Sequence, residues 1–217
     1  MAGETVKSEA ICLKIYPFSR TSHVVQWMTS SGKLTTLVKG AVRPKSMFLG
    51  QYDLNYTCEI VYYVRSKGDI HVLREAYPLD LREALREDYR ALVLADYFRS
   101  QVAEYAPSGA DAKAWYELLK ASIGGRDLKA LVTFDIRMLE LLGLKPEIAS
   151  EGGKIALRGE RMLPVSAEVA ECMRDPEKEN NYQILLDTER VISVFYQFHM
   201  DGEAESRRSV LRIISKT

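Results

Sequence analysis

Hydrophobic side chains recur at every second residue up to Pro78 and at about every 3.6 residues beyond it. A chain patterned this way makes a sheet first and helices afterwards, and at 217 residues it has room for both. We therefore expect two domains, residues 1–78 and residues 79–217. The first eight residues are polar and are expected to be poorly ordered. Glu9–Tyr16 then alternates, with Ile11, Leu13 and Ile15 on one side and Cys12, Lys14 and Tyr16 on the other. Ser22–Thr29 is a second strand built on Val24, Val25, Trp27 and Met28, and Ser30-Ser31-Gly32 is a hairpin connection. Gly32–Val38 is the third, with Leu34, Thr36 and Val38 opposite Lys33, Thr35 and Leu37. Tyr56–Val64 and Ile70–Ala76, separated by a Lys67-Gly68-Asp69 turn, complete the set.

Five short, mostly consecutive strands suit a small closed barrel, and the oligonucleotide-binding (OB) fold is the five-stranded barrel that pairs this length with a nucleic-acid face. After Pro78, apolar stripes mark a helix through Tyr89, Leu92, Val93, Phe98 and Val102, a second through Trp115, Leu118, Leu119 and Ile123, and a third through Leu131, Phe134, Met138, Leu141 and Leu142. Asp127 is the expected N-cap of the third. Residues 147–165 hold Gly152, Gly153 and Gly159 and read as a loop or small hairpin; Ser166–Met173, Tyr182–Met200 and a last segment with Val210, Leu211 and Ile214 read as helices. The expected fold is α+β: an N-terminal five-stranded OB-fold β-barrel followed by an all-helical C-terminal domain.

Charge is segregated along the chain. From Ala10 to Tyr52 there is no Asp or Glu, while Lys14, Arg20, Lys33, Lys39, Arg43 and Lys45 are present, so this stretch carries +6. The whole chain balances 30 Lys+Arg against 30 Asp+Glu, which leaves −6 for the remainder. Three of the cations, Lys39, Arg43 and Lys45, flank a bend that Gly40 permits and Pro44 prevents from pairing. Lysines at a bend also protect a sheet edge against aggregation, but a field of this extent points to a polyanion. Aromatic residues in the same stretch add platforms for bases: Tyr16 and Phe18 suit a buried corner as well as stacking, and Trp27 suits the core. Alternation sends Tyr62 and Tyr63 to opposite faces without deciding which is inside.

Catalytic and nucleotide motifs are missing from the sequence. Gly32-Lys33 is followed by Leu34 and Gly153-Lys154 by Ile155, so neither supplies the hydroxyl that a P-loop places on magnesium. The three cysteines and three histidines are scattered, without the spacing of a metal site or a disulfide framework, and no metal or cofactor is expected. Acids between Asp80 and Asp88 alternate with Arg82, Arg86 and Arg90 as intrahelical ion pairs would. Neither a signal peptide nor an apolar run of membrane-spanning length is found, so a cytoplasmic location is expected.

Several short motifs are similar to the N-terminal half of RecO, the bacterial recombination mediator. They are Pro17-Phe18-Ser19-Arg20-Thr21-Ser22, Gly32-Lys33-Leu34, Lys39-Gly40-Ala41, Arg43-Pro44-Lys45-Ser46, Leu49-Gly50 and Leu73-Arg74-Glu75, in the family's order. Leu139-Glu140-Leu141-Leu142-Gly143-Leu144 and Ser206-Arg207 resemble its helical half more loosely. The resemblance implies a non-enzymatic protein that binds single- and double-stranded DNA and anneals complementary strands. It also implies help in loading RecA onto DNA coated by single-strand-binding protein, with RecR as direct partner and an association with the nucleoid. Its implied DNA contacts are Lys33, Lys39, Arg43 and Lys45, then Arg20 and Lys14. Many members carry four zinc-binding cysteines after the Leu-Leu-Gly segment; here only Cys172 lies in that region, so the zinc is not carried over. Arg20 stands where the family commonly has an acid.

Two other classes fit the same residues. An RNA-binding OB module of translation or ribosome assembly shares the basic barrel, and relative affinity for DNA and RNA separates it from the mediator. An enzyme with its site at the domain junction requires a deep pocket of titratable groups with perturbed pKa values.

Overall fold

The structure is a computed structural model that describes residues 4–65, 68–108, 112–148, 153–156, 162–200 and 205–214. The chain divides into two compact units. One comprises the chain as far as Glu87 with Phe98–Gly124, and the other Asp88–Tyr97 with the chain from Gly125 onward.

The first unit contains β1 (Thr5–Pro17), β2 (His23–Thr29), β3 (Gly32–Val38), β4 (Thr57–Tyr63) and β5 (Ile70–Asp80). It also holds the short α1 (Ala84–Glu87), the second half of α2 (Tyr89–Tyr105) and α3 (Ala112–Ser122). The pairing order is β1-β2-β3-β5-β4, and β4 pairs again with β1. All ladders are antiparallel except β3 with β5, a parallel join of three residue pairs from Thr35↔Ile70 to Leu37↔Val72. Ala10, Cys12, Val25, Trp27, Val38, Ala41, Phe48, Cys58, Ile60, Leu73 and Ala76 form the enclosed core. The Trp27 indole N–H donates to Thr36 Oγ1 at 2.9 Å, so the core's largest ring brings no unpaired donor with it.

β1 departs from simple alternation. Its register shifts between Cys12 and Lys14, so the inward set is Ala10 and Cys12 before the bulge and Ile15 after it. Residues Ala10 to Leu13 are all fully buried because the other face is covered as well. There Arg99 of α2 donates to the Leu13 carbonyl, and Tyr116 and Lys120 of α3 donate to Glu9 Oε1 at 2.5 and 2.7 Å. The strand begins at Thr5, paired with Tyr63, so Thr5–Ser8, expected to be poorly ordered, belong to it. β5 runs through Pro78 to Asp80, and Pro78 sits opposite Cys58 beside a register shift that accommodates its missing N–H. The turn expected at Lys67 lies outside the described residues.

The second unit holds the start of α2, then α4 (Leu128–Leu141), α5 (Ala167–Arg174), α6 (Tyr182–His199) and α7 (Glu205–Ile214). α4 packs on α6, and α6 on α5. Asp127 caps α4 by accepting from the Ala130 N–H at 2.9 Å, Ser166 caps α5, and Asn181 caps α6. β6 (Lys154–Ala156) and β7 (Met162–Pro164) form a two-stranded antiparallel sheet. Among the described residues no helix is long and apolar enough to cross a membrane.

These elements correct the expectation of an all-helical second half, whereas the five strands close on themselves, β4 pairing back onto β1 as in the expected barrel. The five strands form a mixed sheet whose longest members have 13 and 11 residues, and its parallel join at β3/β5 is only three pairs long. The later half is not all-helical, because β6 and β7 pair within the segment that holds Gly152, Gly153 and Gly159. The arginines near Asp80–Asp88 also differ from the expected intrahelical pairs. α1 spans four residues, Arg82 joins Asp80 ahead of it at 3.1 Å, and Arg86 donates to the Tyr56 hydroxyl at 2.5 Å.

Candidate nucleic-acid interface

β3 ends on the buried Val38, and the next side chain, Lys39, is exposed. The chain turns at once, since Gly40 has φ +69°, and folds into successive tight turns. Arg43 N–H donates to the Gly40 carbonyl (3.2 Å), Ser46 N–H to Arg43 (2.9 Å), Leu49 N–H to Ser46 (3.3 Å) and Gln51 N–H to Phe48 (3.1 Å). Lys45 takes a left-handed φ of +66° within this series. Two side chains pin the loop inward: Ala41 and Phe48 join the core of the sheet. Arg43, Pro44, Lys45, Met47 and Leu49 all face solvent. Of the apolar side chains Met47, Phe48 and Leu49, only Phe48 is buried.

The connection between β1 and β2 is tied to this loop. Ser22 Oγ accepts from the Gly40 N–H at 3.3 Å, and the Thr21 carbonyl accepts from the Val42 N–H at 3.3 Å. That connection is itself closed by Phe18 N–H donating to the Ser22 carbonyl at 3.0 Å. Arg20, exposed at its tip, is thereby placed on a segment bonded to the one that carries Lys39 and Arg43. Four of the six sequence-predicted cations, Arg20, Lys39, Arg43 and Lys45, thus lie on two bonded loops.

The other two lie elsewhere. Lys33 and Lys14 sit half-buried on the outward face of β3 and β1. Lys33 Nζ donates to the Ala103 carbonyl in α2 at 3.1 Å. Burial holds the Lys33 ammonium below its ordinary pKa, Glu104 opposes that shift, and the charge of nearby Lys14 adds to it. The alternation of β3 places Lys33 on the outward face, but no local pattern shows that a helix covers that face.

Outside the loops, His23, His71 and the three cysteines have defined surroundings. His23 Nδ1 and the Tyr52 hydroxyl are 2.8 Å apart, and burial raises the Tyr52 phenol above its ordinary value. His71 stacks on Tyr62, which is packed against the core while Tyr63 is exposed. Cys12, Cys58 and Cys172 are buried free thiols, and burial pushes Cys58 up to about 12. Among the described residues no three His, Cys, Asp or Glu side chains come together as a metal site.

Four exposed cations thus gather on two bonded loops of the sheet, and comparison with known proteins shows what the chain resembles. Residues 1–82 match the model of the N-terminal domain of recombination protein O. DNA repair protein RecO of Prosthecochloris aestuarii is 24% identical over 172 residues, which cover 76% of this chain and 64% of that protein. The RecO of Rhodopirellula baltica is 30% identical over 146 residues, covering 63% of this chain and 53% of that one. The chain therefore spans only part of the length of these relatives, and its similarity to the RecO family is remote. Among solved structures, an aspartyl-tRNA synthetase from Entamoeba histolytica covers 100% of this chain and 56% of its own at 11% identity, with a TM-score of 0.30 that carries no argument.

Proposed function

We propose that the chain is a non-catalytic DNA-binding recombination mediator of DNA repair, holding strands by their phosphates on the loops that carry Arg20, Lys39, Arg43 and Lys45. The observation that carries this reading is the exposure of these cations on two hydrogen-bonded loops within an acid-free stretch. Guanidinium and ammonium groups held at a rigid edge neutralise successive phosphates and release condensed counterions, which requires no base identity. Two complementary strands whose charges are screened in this way anneal faster. Remote similarity to RecO supports assigning that activity to repair, together with RecA loading onto DNA coated by single-strand-binding protein and RecR as partner. An RNA-binding role in translation shares the same electrostatics; equal or greater affinity for RNA of the same sequence would favour it.

The testing variant is the triple substitution Lys39→Glu, Arg43→Glu, Lys45→Glu. All three side chains are exposed, so the melting temperature is expected to stay close to the parent's. Affinity for single strands is expected to fall at least tenfold regardless of sequence, and annealing with it. Unaltered binding and annealing by the folded variant would remove the loop from the site.

A further inference from the structure

We infer that the same loops select unpaired strands through bases, with Phe18 as the stacking platform and Met47 and Leu49 as flanking apolar contacts. This rests on the reading of the loops as a phosphate-binding edge. Phe18 is 64% exposed, Met47 62% and Leu49 54%, although hydrogen bonds fix the backbone of Phe18 and Leu49 and of Ser46 beside Met47. Within Met47-Phe48-Leu49 the roles are divided: Phe48 alone anchors the loop, and its two neighbours contribute little to packing. Phe18 could have been a buried corner, and its exposure excludes that role.

The charges around these side chains identify what they meet. Phe18 is two residues from Arg20, Val42 adjoins Arg43, and Lys45 is two residues from Met47. Cations interleaved with apolar side chains match a ligand whose negative charges and flat apolar faces repeat along one strand. A single-stranded nucleic acid has that form; in a duplex the base faces are already stacked and unavailable. Stacking on one aromatic side chain is sequence-tolerant, so the platform adds preference for unpaired DNA without adding sequence specificity.

The test uses the full chain and three ligands with matched phosphate numbers: a mixed-sequence single strand, an abasic strand and a blunt duplex. Phe18→Ala is expected to lower affinity for the base-bearing strand about fivefold or more, with less than a twofold change on the abasic strand and the duplex. Phe18→Trp is expected to restore it, and the new indole to be quenched by the base-bearing strand and not by the abasic one. Equal losses on all three ligands, or no loss on any, would overturn the stacking role. If Phe18→Ala is silent while the triple glutamate variant still loses binding, only this inference fails. If the parent binds none of the three ligands, the proposed function fails and takes the inference with it.

Discussion

Arg207 is the residue whose role is least apparent from composition. It is fully buried in the second unit, where Nε donates to Asp135 Oδ2 at 2.9 Å and Nη1 to Glu189 Oε1 at 3.2 Å and Ser193 Oγ at 2.6 Å. The hydroxyls of Tyr97 and Tyr196 donate to the other Asp135 oxygen at 2.8 and 3.3 Å. Burial pushes the Asp135 carboxyl up, and the Arg207 guanidinium opposes it. Arg207→Ala leaves that carboxylate buried without its countercharge, and unfolding in urea is expected to show a loss of about 3–5 kcal/mol. Asp135→Asn and Glu189→Gln together with Arg207→Met remove all three charges and are expected to recover much of it. A surface role for Arg207 would instead give a change within about 0.5 kcal/mol. Asp135 stands four residues after Leu131 and three before Met138, on the apolar face of α4, yet the apolar stripe did not single it out. Nor does the sequence separate Arg207 from the exposed Arg208 beside it, which has the same local signature. A milder case is Glu9, held below the usual carboxylate range by hydrogen bonds from Lys120 and then Tyr116. A depressed carboxyl contributes stability above its unfolded pKa, near 4.5, that is lost as pH falls through the folded value. Because both ends of the Lys120 pair are well exposed, Glu9→Gln is expected to flatten the acid limb of stability against pH by under about 1 kcal/mol. An unchanged acid limb would show that the contact is without effect.

At the scale of elements, helices were read closely and strands less so. α4 was placed by its Asp127 cap and its stripe, since both signals are local. Strand ends were set by partners distant in sequence: β1 starts at Thr5 because Tyr63 pairs with it, and β5 continues past Pro78 because Cys58 does. The bulge in β1 exchanged inward and outward side chains in a way alternation cannot announce. The basic bend was legible as a bend, but the hydrogen bonds that fix it to Thr21 and Ser22 were not. Gly40 is its pivot, with a left-handed φ and only 3.2 Å between an added Cβ and Arg43 Cδ. Gly40→Ala is expected to cost about 1–2 kcal/mol and to weaken single-strand binding by displacing Arg43. A melting temperature equal to the parent's would show that the turn does not require glycine.

Over the whole molecule, a net charge of +0 conceals an acid-free segment of +6, and the proposed function rests on that segregation. It identified six cations without separating the four exposed loop residues from Lys14 and Lys33, because what covers a strand's outer face is a tertiary property. The two groups carry different expectations for salt. Four engaged loop cations release counterions from a single strand with a log affinity against log salt slope of about −3, and removing three of them leaves about −0.7. Measuring that slope for the parent and for the Lys39→Glu, Arg43→Glu, Lys45→Glu variant is the most direct test of the basic edge as the nucleic-acid site. A parent slope near −3 that collapses toward −0.7 in a folded variant is the predicted result; a parent slope near zero, or one that survives the triple substitution, would contradict it.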